Sequence, residues 1–462
     1  MRWMTLSILV VLGACSAAPR PDFHQLYDFG PSTAHQPPVI VIPGIMGSRL
    51  RHKDTGEELW PGSIWHLAFT SKGDLALKID PRTLEPVPDD VEAYDLFRGA
   101  LGLDFYGEIL RTLEQYGGFH ATRPGTAVRD SLRRYYVFAY DWRQDNVVTA
   151  RRLDALVEQI RRDHDDPELR VDIIAHSMGG LVTRYFLRYG TQDVLDSNEL
   201  AINFDGARKV RNVILLGTPN LGSASSLHSF LDGAAVGLKR VPPEVLATMP
   251  SIYELFPHPA STWLVSVDGQ PLDLDLFNQE VWEGYGWSVF DAGRAARIRD
   301  SMGADYLDTL QRFFGKRLER ARRFTWSLTR ELKESPEKLV VFGGDCTPTP
   351  ARLLIEPEGE YSVTRLSPDD IRHPRPGIDY TRLMFEPGDG EVTKPSLLAR
   401  DNLNPAVPRQ TWAFFPLAYS FFLCEEHSRL TANPSFQNNL LNVLLTVERP
   451  LEMPMTTTSG AR

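Results

Sequence analysis

The sequence predicts an α/β fold built on a mostly parallel sheet, and three observations predict it. Short apolar runs end at turn residues, amphipathic helical patterns lie between those runs, and a tight strand-to-helix junction falls within residues 171–190. The first run, 38–42 (PVIVI), is continuous and is stopped by Pro43-Gly44, the pattern of a strand buried on both faces. Similar runs follow at 135–138, 171–175, 210–216 and 338–342, with a further apolar stretch at 417–424. Among the intervening helical patterns, Leu153, Leu156, Val157 and Ile160 share one face. Leu181, Val182, Tyr185 and Phe186 form a second stripe that ends at Gly190. Asn433 and Pro434 read as the cap and first position of a last helix carrying Phe436, Leu440, Leu441 and Leu444.

Two stretches interrupt this rhythm. Residues 50–132 and 220–335 are too long for simple connections, so they read as insertions at one edge of the sheet, the second of them a cap or lid. The body, 37–448, is then one enlarged domain followed by a polar tail at 449–462. At the other end, residues 1–15 combine Arg2 with a short apolar run and small residues, the pattern of an export signal too short to span a bilayer. Leu-Gly-Ala-Cys at 12–15 resembles the bacterial lipoprotein signal, in which the cysteine, here Cys15, is lipidated; a plain cleaved signal is the alternative. Residues 16–36, polar and Pro-rich, would be the tether. The expected location is therefore the cell envelope, with the lipid anchor holding the protein at a membrane surface.

Of 462 residues, 42% are hydrophobic and 24% charged, which excludes disorder. The net charge of −10 and the lack of a long Lys/Arg run argue against a nucleic-acid partner. No HExxH or clustered ligand spacing suggests a metal, and no cofactor is implied. Of the three cysteines, an anchor at Cys15 leaves Cys346 and Cys424, which can form a disulfide or stay as two buried thiols.

Ala175-His176-Ser177-Met178-Gly179-Gly180 follows directly on a strand and opens directly into a helix. A serine at such a bend is held in strained geometry, and the residues two positions either side must be small because strand and helix crowd there. Ala175 and Gly179 meet that need, and the helix N-terminus favours developing negative charge. Ser177 is accordingly the candidate nucleophile of an α/β hydrolase; the plainer reading is an ordinary helix cap.

The segment resembles the lecithin:cholesterol acyltransferase family, which includes lysosomal phospholipase A2. Further landmarks agree in order: IPGIMGSRL at 42–50, YDWR at 140–143, LLGTPNLGS at 215–223, PTP at 348–350, GDGEV at 388–392 and a final His427 ahead of a helix. In this fold the triad runs in the order serine, acid, histidine. Four histidines follow Ser177, namely His228, His258, His373 and His427, and only His427 lies between the last strand-like stretch and the final helix. For the acid, strand position nominates Asp345, just after KLVVFGG, whereas the resemblance implies Asp389. Glu391 departs from the family, which carries a small hydroxyl residue there.

The oxyanion donors expected from this motif are the backbone N–H groups of Met178 and Ile45. The resemblance implies a lipid acyl ester as substrate, cleaved through an acyl-enzyme, with an alcohol acceptor in place of water as the alternative. Phe256, Trp263 and Leu264 in the second insertion are candidates for a lid or acyl groove, although such a stripe is more often interior packing. An envelope lipoprotein that uses the scaffold only for binding is the reading from another class.

Overall fold

The structure, a computed structural model, describes residues 21–27, 36–62, 73–100, 103–197, 200–236, 239–330, 335–359, 361–399 and 415–445. The export signal, Cys15, most of the tether and the 449–462 tail lie outside the described residues.

Seven strands form the main sheet: β1 (Val39–Ile42), β2 (Phe119–Ala121), β3 (Arg133–Val137), β4 (Val171–His176), β5 (Val210–Leu216), β6 (Leu339–Gly344) and β7 (Leu417–Leu423). Their order is β7-β6-β5-β4-β1-β3-β2, and every pairing is parallel. Successive side chains of a strand point to opposite faces. Ile40 and Ile42 therefore join the core beneath helices α1 (Asn146–Asp163) and α2 (Met178–Tyr189). Val39 and Val41 join the opposite core, closed by Phe436, Leu440 and Leu444 of a C-terminal helix (Pro434–Leu445). Each such aliphatic or aromatic side chain, once buried, contributes about 1.5–3 kcal/mol. The continuous apolar runs are thus the signature of strands covered on both sides.

The order places the functional end of the sheet. From β1 the chain runs first to the edge strand β2, steps back to place β3 between β2 and β1, and then lays β4 against the other side of β1, with Ile42 opposite Ala175. Strand order reverses between β1 and β4, and open α/β sheets bind their ligands in the crevice beyond the strand ends at such a reversal. The loop after β1 and the bend after β4 meet at that crevice.

The insertions are more firmly built in than their length suggests. The first contains an antiparallel sheet of Ser48–His52, Glu58–Trp60 and Val91–Leu96. It also supplies β2, an edge strand whose three residues FHA carry no periodic pattern to read. The second contains helices at Gln279–Tyr285 and Ala292–Met302 and a long helix, α3 (Ala304–Thr329). Its strand Leu264–Ser266 pairs in parallel with Leu353–Glu358 from the excursion between β6 and β7, so the second insertion and that excursion share one small sheet.

The inserted layer holds Phe256, Trp263 and Leu264, the candidates for a lid or acyl groove. All three are buried: Phe256 packs against Phe230, Tyr253 and Trp282, Trp263 against Trp287, and Leu264 pairs with Leu353. They serve as interior packing of the inserted layer. Among the described residues no cluster of His, Cys, Asp or Glu could hold a metal ion.

Candidate active site

Ser177 occupies the turn between β4 and α2 with φ 54° and ψ −126°, a backbone conformation that costs on the order of 1–3 kcal/mol for a residue with a side chain. Its N–H donates to the carbonyl of Leu216 at 2.8 Å, which extends the β4–β5 ladder into the bend and holds it. The neighbouring glycines are required by space. A Cβ at Gly179 would collide with the Pro43 carbonyl oxygen, and one at Gly180 with Oγ1 of Thr218. The N–H of Met178, first residue of α2, is one that no intrahelical carbonyl can satisfy.

His427 enters from the segment after β7. Its Nε2 lies 3.0 Å from Oγ of Ser177, and its Nδ1 lies 2.8 Å from Oδ2 of Asp389. The backbone joins in, because the N–H of His427 donates to the Asp389 carbonyl at 2.9 Å. The other carboxylate oxygen of Asp389 accepts from the N–H groups of Glu391 at 3.0 Å and Val392 at 2.8 Å. Burial pushes the Asp389 carboxyl up, but the His427 charge and these hydrogen bonds outweigh it and hold it below the usual aspartate range. Burial likewise pushes the His427 imidazole down, and Asp389, helped by the charge of Glu391, more than offsets that and raises it. Asp389 therefore stays anionic and favours a proton on the ring.

The acid loop is held by the residues around it. Thr349, the third residue of the strand Thr347–Pro350 that pairs with Phe385–Gly388, accepts from the Gly390 N–H through its hydroxyl at 2.8 Å. Glu391 accepts from the hydroxyl of Ser225 at 2.5 Å, which ties the loop to the first helix of the second insertion. Asp345, the alternative from strand position, instead forms an ion pair with Lys394 at 2.9 Å. Cys346 and Cys424 form a disulfide that joins the segment leading to Thr349 with the segment leading to His427.

The loop after β1 closes the crevice. A hydrogen bond from the Gly47 N–H to the Gly44 carbonyl at 3.1 Å forms its turn, with Ile45 and Met46 at the tip. Four aromatic side chains fix it. Tyr106 accepts from the Gly44 N–H at 2.8 Å, and Tyr140 donates to the Pro43 carbonyl at 2.9 Å. The indole N–H of Trp60 donates to Met46 at 2.8 Å and that of Trp142 to Ser48 at 3.2 Å, both to carbonyl oxygens. The YDWR segment thus has a local explanation: Tyr140 and Trp142 brace the loop while Asp141 and Arg143 pair with each other in the interior.

Ser177, Asp389 and His427 are brought together, with Met178 and Ile45 on the two segments that flank the serine. Sequence reasoning overlooked Tyr106, to which no motif drew attention, and His176, which it quoted beside the serine without assigning it a task. A nucleophilic hydroxyl, a base within reach of its proton and an anion orienting the base are together equipped for acyl transfer.

Comparison with known proteins bears on the family and the fold. The family described as "Lecithin:cholesterol acyltransferase" matches residues 133–280, which carry YDWR, the serine bend and β5. "Lecithin-cholesterol acyltransferase-like 4" of Arabidopsis thaliana is 25% identical over 264 residues, 49% of this chain and 44% of that protein. The match therefore spans less than half the length of the relative. Among solved structures, a chain of the Tle4–Tli4 complex superposes with a TM-score of 0.53 at 16% identity, covering 88% of this chain and 98% of the other, a likeness of fold. By fold the chain is an α/β hydrolase, and it resembles the lecithin:cholesterol acyltransferase family, whose signature it matches from residue 133 to residue 280.

Proposed function

We propose that the protein is a serine carboxylic-ester hydrolase acting on lipid acyl esters. The observation that carries this reading is the 3.0 Å approach of His427 Nε2 to Ser177 Oγ, backed by the 2.8 Å contact of His427 with Asp389. His427 takes the Ser177 proton as Oγ attacks the ester carbonyl, giving a tetrahedral intermediate and an imidazolium. The N–H groups of Met178 and Ile45 receive the oxyanion; losing one such donor typically costs about 3–4 kcal/mol of transition-state stabilisation. Collapse breaks the bond to the alcohol, which leaves with the proton from His427, and Ser177 retains the acyl group. Water, deprotonated by His427, then releases the carboxylic acid and restores the serine.

A fluorophosphonate probe should label the wild type and not Ser177→Ala, and short p-nitrophenyl esters, triglycerides and phospholipids should then be compared as substrates. A folded wild-type protein that neither takes the label nor cleaves any of these esters would favour a binding role for the scaffold.

The resemblance to the acyltransferase family supports a second reading, in which an alcohol rather than water takes the acyl group from Ser177. The acyl-enzyme is common to both, and the choice rests on which acceptor the closed site admits. Adding an alcohol to a labelled phospholipid reaction and looking for a new ester separates them. Export and lipidation at Cys15 complete the proposal, because an anchor there would keep the site near its lipid substrate. Mass spectrometry of the N-terminal peptide tests that part.

A further inference from the structure

A line of hydrogen bonds runs behind the serine, separate from the one that joins Ser177, His427 and Asp389. The Gly44 N–H donates to the hydroxyl oxygen of Tyr106 at 2.8 Å, and that hydroxyl lies 2.8 Å from Nδ1 of His176. Nε2 of His176 lies 3.3 Å from the backbone carbonyl of His427. The direction of every proton follows from the chemistry of the ends. A carbonyl can only accept, so Nε2 carries the hydrogen, Nδ1 is the acceptor, and the Tyr106 O–H donates to it while its oxygen takes the Gly44 N–H.

We propose that Tyr106 and His176 are positioning residues that lock the oxyanion loop and the base-bearing segment to one another across the back of the nucleophile. The proposal rests on the acyl-enzyme reading of Ser177. One end of the line is the residue before Ile45, and the other is the backbone of His427 itself. The two elements that must converge on the substrate carbonyl from opposite sides therefore share one set of hydrogen bonds. A second link runs alongside: the hydroxyl of Thr431, in the same short helix as His427, donates to the Phe105 carbonyl at 2.5 Å. Phe105 and Tyr106 thus bridge the β1 loop and the segment after β7, neither of which is adjacent to them in sequence.

The identity of residue 176 matters for a further reason. Its ring lies 4.7 Å from that of His427, centroid to centroid. A cation there would oppose the imidazolium that forms at His427. Loss of solvent, together with the charge of His427, holds the His176 imidazole down at about 3, so it stays neutral through the working pH range. A neutral ring with one donor and one acceptor can span the gap without competing for the proton.

The experiment compares Tyr106→Phe, His176→Gln, His176→Phe and the double variant Tyr106→Phe/His176→Phe with wild type in the full chain. It measures kcat and KM on a short p-nitrophenyl ester, the rate of fluorophosphonate labelling, and Tm. Misplacing catalytic groups by small distances costs up to about a hundredfold, so Tyr106→Phe should lower kcat by roughly ten- to a hundredfold while leaving KM within about twofold. His176→Gln, whose amide can still donate toward the His427 carbonyl, should retain more of kcat than His176→Phe. The double variant should be no worse than the poorer single one, because the residues act as a unit. Wild-type kcat in Tyr106→Phe and His176→Gln, or losses that follow Tm alone with no difference between Gln and Phe, would overturn the proposal. If His176→Phe does not fold, Tyr106→Phe and His176→Gln decide. Failure of the wild type itself to take the label or cleave the ester overturns the underlying reading, and this proposal with it.

Discussion

Gly344 and Asp389 lie so close that a Cβ on Gly344 would come within 2.7 Å of the Asp389 Cβ. The acid, supplied from an excursion of some forty residues beyond the strand, is laid back over the end of β6. There it occupies the place that a residue directly following the strand would otherwise take. The glycine leaves room for that return, and Asp345, next in the chain, is displaced to its pairing with Lys394.

The two carboxylates should therefore respond differently to loss of charge. Asp389→Asn removes the anion that holds the His427 ring in its tautomer, and kcat should fall by roughly 10⁴-fold. Asp345→Asn should leave kcat within about threefold, since it disturbs only a half-exposed ion pair. Parallel kinetics on one ester would settle the assignment; equal losses in the two variants would contradict it.

The pH dependence follows from the direction in which His427 is shifted. The ring must be neutral to take the serine proton, and its folded-state value is raised above 6.5, mainly because Asp389 outweighs the effect of burial. As a result, kcat/KM should climb with pH through a midpoint above 6.5. Glu391 favours the protonated ring, so Glu391→Gln should move that midpoint down. A midpoint that rises or stays fixed in the variant would show that this charge does not reach the imidazole.

Gly44 presents a test of space. A Cβ at this position would lie 2.7 Å from the Ser177 Cβ, so either the loop after β1 or Ser177 must move in Gly44→Ala. We expect kcat to fall at least tenfold while Tm changes by no more than a few degrees, because a displacement of this kind harms alignment more than packing. Steady-state kinetics with a thermal melt reads both quantities.

The inserted layer should behave as part of the core. Trp282 is fully buried among Phe230, Phe256, Trp287 and Phe314. Trp282→Ala should destabilise the protein by about 3–5 kcal/mol. Denaturant unfolding would measure this, and a loss below about 1 kcal/mol would mean that the layer unfolds separately from the sheet.

How much of this could be read beforehand depended on whether a feature was local. The apolar runs of β1, β4, β5 and β6 were legible because strands covered on both faces carry an unbroken hydrophobic signal. β3 runs Arg133–Val137 rather than 135–138; its first two residues are arginines held at the start of the strand, Arg133 to the Gly117 carbonyl and Arg134 to Asp130. The bend at Ser177 was legible because its steric demands fall on adjacent residues. Strand position did not reveal that Asp389 rather than Asp345 meets the histidine, since that depends on how an excursion folds back upon β6; the resemblance implied it. Tyr106 was invisible for the same reason: its partners are Gly44, 62 positions away, and His176, 70 positions away. Phe256, Trp263 and Leu264 illustrate the reverse limit, because an apolar stripe in the sequence does not say whether it faces a ligand or its own neighbours.

The helix that follows Ser177 also grips the inserted layer. Along α2, Arg184 donates to the carbonyl of Leu328 and to Asn220, and Arg188 and Tyr189 donate to the carbonyl of Ser327. These carbonyls belong to the last turn of α3, where helix oxygens lack partners of their own and the helix dipole attracts cations. At this margin α3 cannot part from α2 without stripping buried guanidinium groups of their acceptors. A tether engineered across α2 and α3 would therefore change little, because buried hydrogen bonds already join the two helices there.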